Sequence, residues 1–167
     1  MSILSLDLST KSTGWSVYNN DSQLERYGCI TASHKDPLVR LKKIINELDE
    51  IIQEEANLEY CIIEEVQPSE DDKKSLHTYK ILMYMQAILV LLLHEKYPKV
   101  KIEFLYPNEW RKLCHIQTGR GIKRETLKQS DIAFVKKQFN ITNINDDIAD
   151  AIGIGYAYIQ KNDVVEW

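Results

Sequence analysis

The chain has 167 residues, 44% apolar and 28% charged, with a net charge of −4. That is the length and mixture of one globular domain, read here as residues 1–167, and no glycine-, serine- or proline-rich stretch or internal repeat argues for a linker or a tail. Three cysteines, Cys29, Cys61 and Cys114, are an odd number without a C-x-x-C pair, which argues against a disulfide framework and a zinc site and fits a reducing cytoplasm.

Ile3 to Leu8 is a short apolar run and reads as a buried strand. Thr13 to Tyr18 and Leu24 to Thr31 read as strands joined by the polar turn Asn19-Asn20-Asp21-Ser22, so the chain begins with an antiparallel meander. Leu38, Leu41, Ile44, Ile45, Leu48, Ile51 and Ile52 recur at helical spacing, with Asp36 placed to cap the helix and Pro37 at its first position. Tyr60 to Val66 reads as a fourth strand. A second helix covers about Lys73 to Tyr97 and is apolar nearly all round from Ile81 to Leu93, as in a helix central to a domain or buried against a second copy. That uncharged run of 13 residues is too short to span a bilayer, and the N-terminus reaches Asp7 too early for a signal peptide, so no membrane is expected. Lys101 to Leu105 forms a fifth strand. A short helix near Pro107 to Cys114, a loop Gln117 to Gly121, a basic helix from about Ile122 to Phe139 and a last helix from about Asp147 to Gln160 complete an α/β order with helices on both faces of the sheet.

Charge is unevenly spread. From Arg111 to Lys137 eight basic residues face two acids, a balance of +6, while the rest of the chain carries −10. Such asymmetry suits a polyanion-binding face, although a basic helix is also the ordinary look of a solvated surface. Trp15, Trp110 and Trp167 are read as packing residues, with a DNA contact as the alternative for Trp110 beside Arg111. His115 is read as a surface residue, with a phosphate contact as its alternative, and His34, His77 and His94 show no metal-ligand spacing.

Four acids stand at telling places. Asp7 closes the first strand, Glu64 comes near the end of the fourth, and Asp147 and Asp150, three apart, share one face at the start of the last helix. Should the first and fourth strands lie side by side, Asp7 and Glu64 converge and the last helix can bring its first turn against them. Four such carboxylates would not all ionise without a cation, and an oxygen-only set suits Mg²⁺ or Mn²⁺. Two such ions, about 4 Å apart, clamp the attacking and leaving oxygens of a phosphodiester. Each acid also has a plainer reading: Asp7 as the start of a turn, Glu64 as a surface acid, Asp146, Asp147 and Asp150 as cap and first-turn acids. Spacing alone leaves both open.

The segment Ile3-Leu-Ser-Leu-Asp7-Leu-Ser-Thr-Lys-Ser-Thr-Gly14-Trp-Ser-Val17 resembles the opening strand, loop and second strand of the RuvC-type Holliday junction resolvases. Cys61-Ile-Ile-Glu64-Glu-Val66 is similar to their second acidic strand, and Asp147-Ile-Ala-Asp150-Ala to their closing D-x-x-D-A helix. Pro107 to Lys123, with Gly119 and Gly121, is similar to the segment leading into their basic helix. The matches follow the family's order over almost the whole chain, and the small size resembles the phage-encoded branch.

The resemblance implies a ribonuclease H-like fold with a five-stranded mixed sheet, a homodimer, and Mg²⁺-dependent nicking of branched DNA by a metal-activated water, with Mn²⁺ able to substitute. It assigns Asp7, Glu64, Asp147 and Asp150 as catalytic metal ligands, preferring Glu64 to Glu65 and the Asp147–Asp150 pair to Asp146. It puts DNA contacts among Arg111, Lys112, Arg120, Lys123 and Arg124, though the spacing after Gly121 is shorter than the usual pattern. Expression in the cytoplasm of a bacterial host follows from a phage origin. Well-studied members carry an aromatic residue three positions after the catalytic glutamate; here that residue is Gln67, followed by Pro68-Ser-Glu70-Asp-Asp72, so cutting of forks, Y-structures and flaps is expected beside four-way junctions. Two other readings stay in view, a nuclease of the same fold acting on RNA and a non-catalytic branched-DNA-binding protein. A nucleotide-binding kinase half-domain is set aside, because it needs two such domains and 167 residues supply one.

Overall fold

A computed structural model of the chain describes residues 1–68 and 73–163. The elements follow in the order β1 (Ser2–Asp7), β2 (Ser12–Tyr18), β3 (Leu24–Thr31), α1 (Pro37–Glu54), β4 (Leu58–Glu64), α2 (Lys73–Lys96), β5 (Lys101–Leu105), α3 (Pro107–Leu113), α4 (Arg124–Phe139) and α5 (Asp146–Asp163). The sheet order is β3-β2-β1-β4-β5. β1, β2 and β3 pair antiparallel, as tight connections allow. β4 joins β1 in parallel after the α1 crossover, and β5 joins β4 in parallel after α2.

Alternation along the strands divides the core between the two faces. Leu4, Leu6, Cys61 and Ile63 pack against Leu41, Ile44 and Leu48 of α1 and Met85, Leu89 and Leu93 of α2. Ile3, Tyr18, Ile62 and Leu105 pack against Trp110 of α3, Val135 of α4 and Ile152 and Ile159 of α5. Helices therefore cover both faces. The mixed five-stranded sheet with its antiparallel start is the arrangement expected from the element order.

Local signals act where they were read. Asp36 accepts a hydrogen bond from the Leu38 N–H at 2.9 Å and Pro37 opens α1. The last helix differs in detail: its cap is Asn145, whose Oδ1 accepts from the Ile148 N–H at 2.9 Å, so Asp146 and Asp147 lie inside the first turn. α4 starts at Arg124, later than expected, and ends on Asn140 in the left-handed conformation at φ 54°.

The apolar middle helix has two fates. Ile81, Met85, Leu89 and Leu93 are buried, whereas Met83, Tyr84, Ile88 and Leu91 are exposed on other sides of α2. The expected limit of 13 apolar residues also needs correction. Once Lys80 and the terminal charges are tolerated, Leu76–Lys96 is 21 residues long and apolar enough, by length and composition alone, to cross a membrane. Of that stretch 28% is buried, including the face of Ile81, Met85, Leu89 and Leu93 that packs against α1 and the sheet.

Candidate active site

Strand period and register bring the first two acids together. Leu6 pairs with Ile63, so Asp7 and Glu64, one residue further on, end adjacent parallel strands. Both continue the odd-even pattern of Ile3, Ser5 and Ile62, whose side chains face α5.

α5 is drawn close to this sheet end by hydroxyls and by missing side chains. Ser5 Oγ donates to the Ala151 carbonyl at 2.8 Å, and Tyr18 Oη donates to that of Ile152 at 2.7 Å. Gly14 on β2 lies under the first turn of α5: a Cβ there would stand 1.9 Å from the Asp147 carbonyl oxygen. Gly155 makes room in the same way for Tyr18, 2.4 Å from its would-be Cβ. Asp147 and Asp150 are thereby delivered to the strand ends.

All four acids line one cavity of about 620 Å³, with Ser9, Thr10, Gln67, Arg111, Arg124 and Lys128 also on its walls. Three of the four carboxylates have a side-chain partner of their own. The Trp110 indole N–H donates to Glu64 Oε2 at 2.6 Å, and Ser12 Oγ donates to Asp147. Arg111 Nη2 stands 3.8 Å from Asp150 Oδ2. Among the described residues no three of the carboxylates close into a ready-made cation cage.

The charges are mutually unfavourable. Burial, then the charges of Glu64, Asp150 and Asp147, hold the Asp7 carboxyl well above the usual carboxylate range. Burial and the neighbouring Asp131 push Asp150 up to about 8, against the pull of Arg111. Glu64 is raised by burial, less so because Trp110 bonds its charged form. Asp150 Oδ1 is buried and has no hydrogen-bond partner. An oxygen-only donor set, an orphaned buried carboxylate oxygen and clustered negative charge all fit a hard divalent cation.

The basic residues separate into groups. Arg124 lines the cavity, whereas Lys112, Arg120 and Lys123 are exposed and do not. Arg111 lines it too, but its guanidinium is committed: Nε and Nη2 grip the fully buried Asp131 at 2.9–3.2 Å, and the plane stacks 4.3 Å over Trp110.

Three contributors were not singled out from sequence. Lys128 lines the cavity and donates to Asp146. Burial pulls its ammonium down, and Asp146 with Asp150 more than offsets that, leaving the pKa raised. Asp131 is the buried anchor of Arg111. Trp110, read as a packing residue with a DNA contact as the alternative, aims Glu64. The signal available for the first two was Arg124, Leu127, Lys128 and Asp131 at i, i+3, i+4 and i+7, one face of α4 turned inward. Gln67 lies on the cavity wall; Glu70, Asp71, Asp72 and Trp167 lie outside the described residues.

This architecture is that of the RuvC-type, ribonuclease H-like proteins. Thermus thermophilus RuvC, solved with a Holliday junction substrate, superposes at a TM-score of 0.73 over 99% of this chain and 96% of its own, at 13% identity. The Fowlpox virus resolvase, also solved with Holliday junction DNA, gives 0.58 over 99% and 100% at 16% identity. The yeast mitochondrial Holliday junction resolvase gives 0.54 over 95% and 77% at 14% identity. No curated protein matches the sequence. A family model does match residues 1–161, and the chain belongs to that family, described as Lactococcus phage M3 protein.

Proposed function

We propose that this chain is a divalent-cation-dependent endodeoxyribonuclease that nicks branched DNA, acting in the cytoplasm of a bacterial host. The observation that carries the reading is the joint placement of Asp7, Glu64, Asp147 and Asp150 on one cavity wall, with Arg124 and Lys128 on the same cavity. The resolvase-type fold supports it.

In this reading the four carboxylates hold Mg²⁺, or Mn²⁺ in its place. Such a cation, when bound, supplies Lewis-acid polarisation of a phosphodiester and eases deprotonation of water. The chain's own residues do the positioning. Trp110 fixes the rotamer of Glu64, Ser12 that of Asp147, and the Arg111–Asp131 pair sets the wall behind Asp150. Arg124 and Lys128 are placed to neutralise the phosphate flanking the cut. Gln67 offers an amide where a stacking ring would distinguish a junction centre, so the substrate range extends from four-way junctions to forks, Y-structures and flaps.

A second copy of the chain is the proposed cover for Tyr84, Ile88 and Leu91 of α2, which are 40–58% exposed. A two-fold axis there would set two cavities to cut two strands symmetrically.

The test incubates wild type and Asp7→Asn with labelled four-way, three-way, flap, linear and RNA–DNA hybrid substrates, in Mg²⁺ and in EDTA. Cutting of the branched DNAs by wild type in Mg²⁺ alone is the expected pattern. Cutting that survives the substitution or the chelator, or that is confined to the hybrid, overturns the assignment.

A further inference from the structure

A second cavity, of about 650 Å³, is lined by Lys11, His34, Lys35, Arg40 and Lys43 together with Thr31, Ala32 and Ser33. Thr10 lines the carboxylate cavity and Lys11 this one, so adjacent residues of the β1–β2 loop border the two. Its lining carries four permanent positive charges and, among the described residues, no carboxylate. In a chain whose net charge is −4 that is a strong local reversal.

The basic groups are built into the fold in different degrees. Arg40 is a staple: Nε donates to the Thr10 carbonyl at 2.8 Å and Nη1 donates to that of His34. Lys43 Nζ donates to the Thr31 carbonyl at 2.7 Å and stands 3.5 Å from Glu47. His34 Nδ1 accepts from the Asp36 N–H at 3.0 Å, which leaves Nε2 as the ring's donor. The nearby acids are thus occupied, Asp36 in capping α1 and Glu47 beside Lys43. Lys11 and Lys35 are exposed and, among the described residues, have no ion-pair partner.

A wall of ammonium, guanidinium and hydroxyl groups, with no phenylalanine, tyrosine or tryptophan among its described lining, suits phosphodiester oxygens better than base faces. We infer that this cavity is a DNA-backbone contact, holding phosphates of the duplex arm that leaves the carboxylate cavity past Ser9, Thr10 and Lys11. It rests on the nuclease reading and extends it: the site sets grip and arm placement without reading sequence. None of its residues lies in the basic segment 111–137, so it is an independent electrostatic footprint.

The test measures binding of four-way junctions with long and with short arms across a salt series, in an Asp7→Asn background without cutting. Lys11→Gln/Lys35→Gln is compared with Lys99→Gln, an exposed lysine outside both cavities. Each lost phosphate contact lowers the slope of log affinity against log salt by about 0.9, so the double variant should lose about 1.8 on long-armed DNA. Over a fourfold rise from about 50 to about 200 mM salt, wild type then weakens roughly twelvefold more than the double variant. Short-armed junctions and Lys99→Gln should be unchanged. Inorganic phosphate should displace long-armed DNA no better than chloride at equal ionic strength. An unchanged slope in the double variant overturns the inference, as does displacement specific to phosphate, which would make the cavity a free-phosphate site. If wild type itself fails to bind branched DNA, the nuclease reading falls instead.

Discussion

Replacing Gly14 by alanine puts a methyl group 1.9 Å from the Asp147 carbonyl oxygen and 2.5 Å from its carbon, where approaches under 3.0 Å essentially never occur. The obstacle is backbone in the first turn of α5, not a side chain that can swing away. α5 must therefore retreat by at least 1.1 Å, carrying Asp147 and Asp150 from Asp7 and Glu64. Overpacking of this kind costs about 1–3 kcal/mol, and a misplacement near 1 Å can cost about a hundredfold in rate. Gly14→Ala should stay folded, melt several degrees lower, and nick a four-way junction about a hundredfold more slowly under single-turnover conditions. Gly119→Ala, with nothing within 4 Å of its Cβ, is the matched control and should behave as wild type. A Gly14→Ala protein with wild-type cleavage would refute the idea that close docking of α5 on β2 sets the site.

Arg111→Met leaves the fully buried Asp131 without its partner and should cost about 3–5 kcal/mol in urea unfolding, far beyond a surface ion pair. The cation-free protein should lose stability as pH rises from about 4 to about 8. Asp150, pushed up to about 8, keeps a proton that the unfolded chain has already released over that window, and Asp7 acts with the same sign. Thermal melts in EDTA at several pH values check this, and a flat profile would contradict it; the gain in Tm on adding Mg²⁺ should correspondingly grow with pH. Ile88→Glu with Leu91→Glu should convert the proposed dimer to monomer in sedimentation, leaving the fold intact by circular dichroism.

Much of this was open to a reader of the sequence because it rests on local rules. The apolar run before Asp7, the Asp36-Pro37 start of α1 and the polar turn at Asn19 each speak for themselves over a few residues. Asp7 and Glu64 converge because both follow strand alternation and the sheet order makes their strands neighbours. What escaped was set by contacts between distant segments. Asp131 lies 20 residues from Arg111, and although helical spacing puts it on one face with Lys128, spacing alone does not name the arginine it anchors. Trp110 is apolar enough to be read as packing, and its N–H finds Glu64 only through the docking of α3 on β4. The two sides of α2 could not be separated because apolar residues surround it. The basic cavity of Lys11, Lys35, Arg40 and Lys43 is assembled across the β2–β3 edge and α1, so no run of charge announces it.

The central claim is that four carboxylates act together, and single neutral isosteres test it most directly. Asp7→Asn, Glu64→Gln, Asp147→Asn and Asp150→Asn should each fold, still bind a labelled four-way junction, and fail to cut it in a single-turnover assay with Mg²⁺. Wild-type cutting by any one of the four would remove that residue from the site and contradict the account.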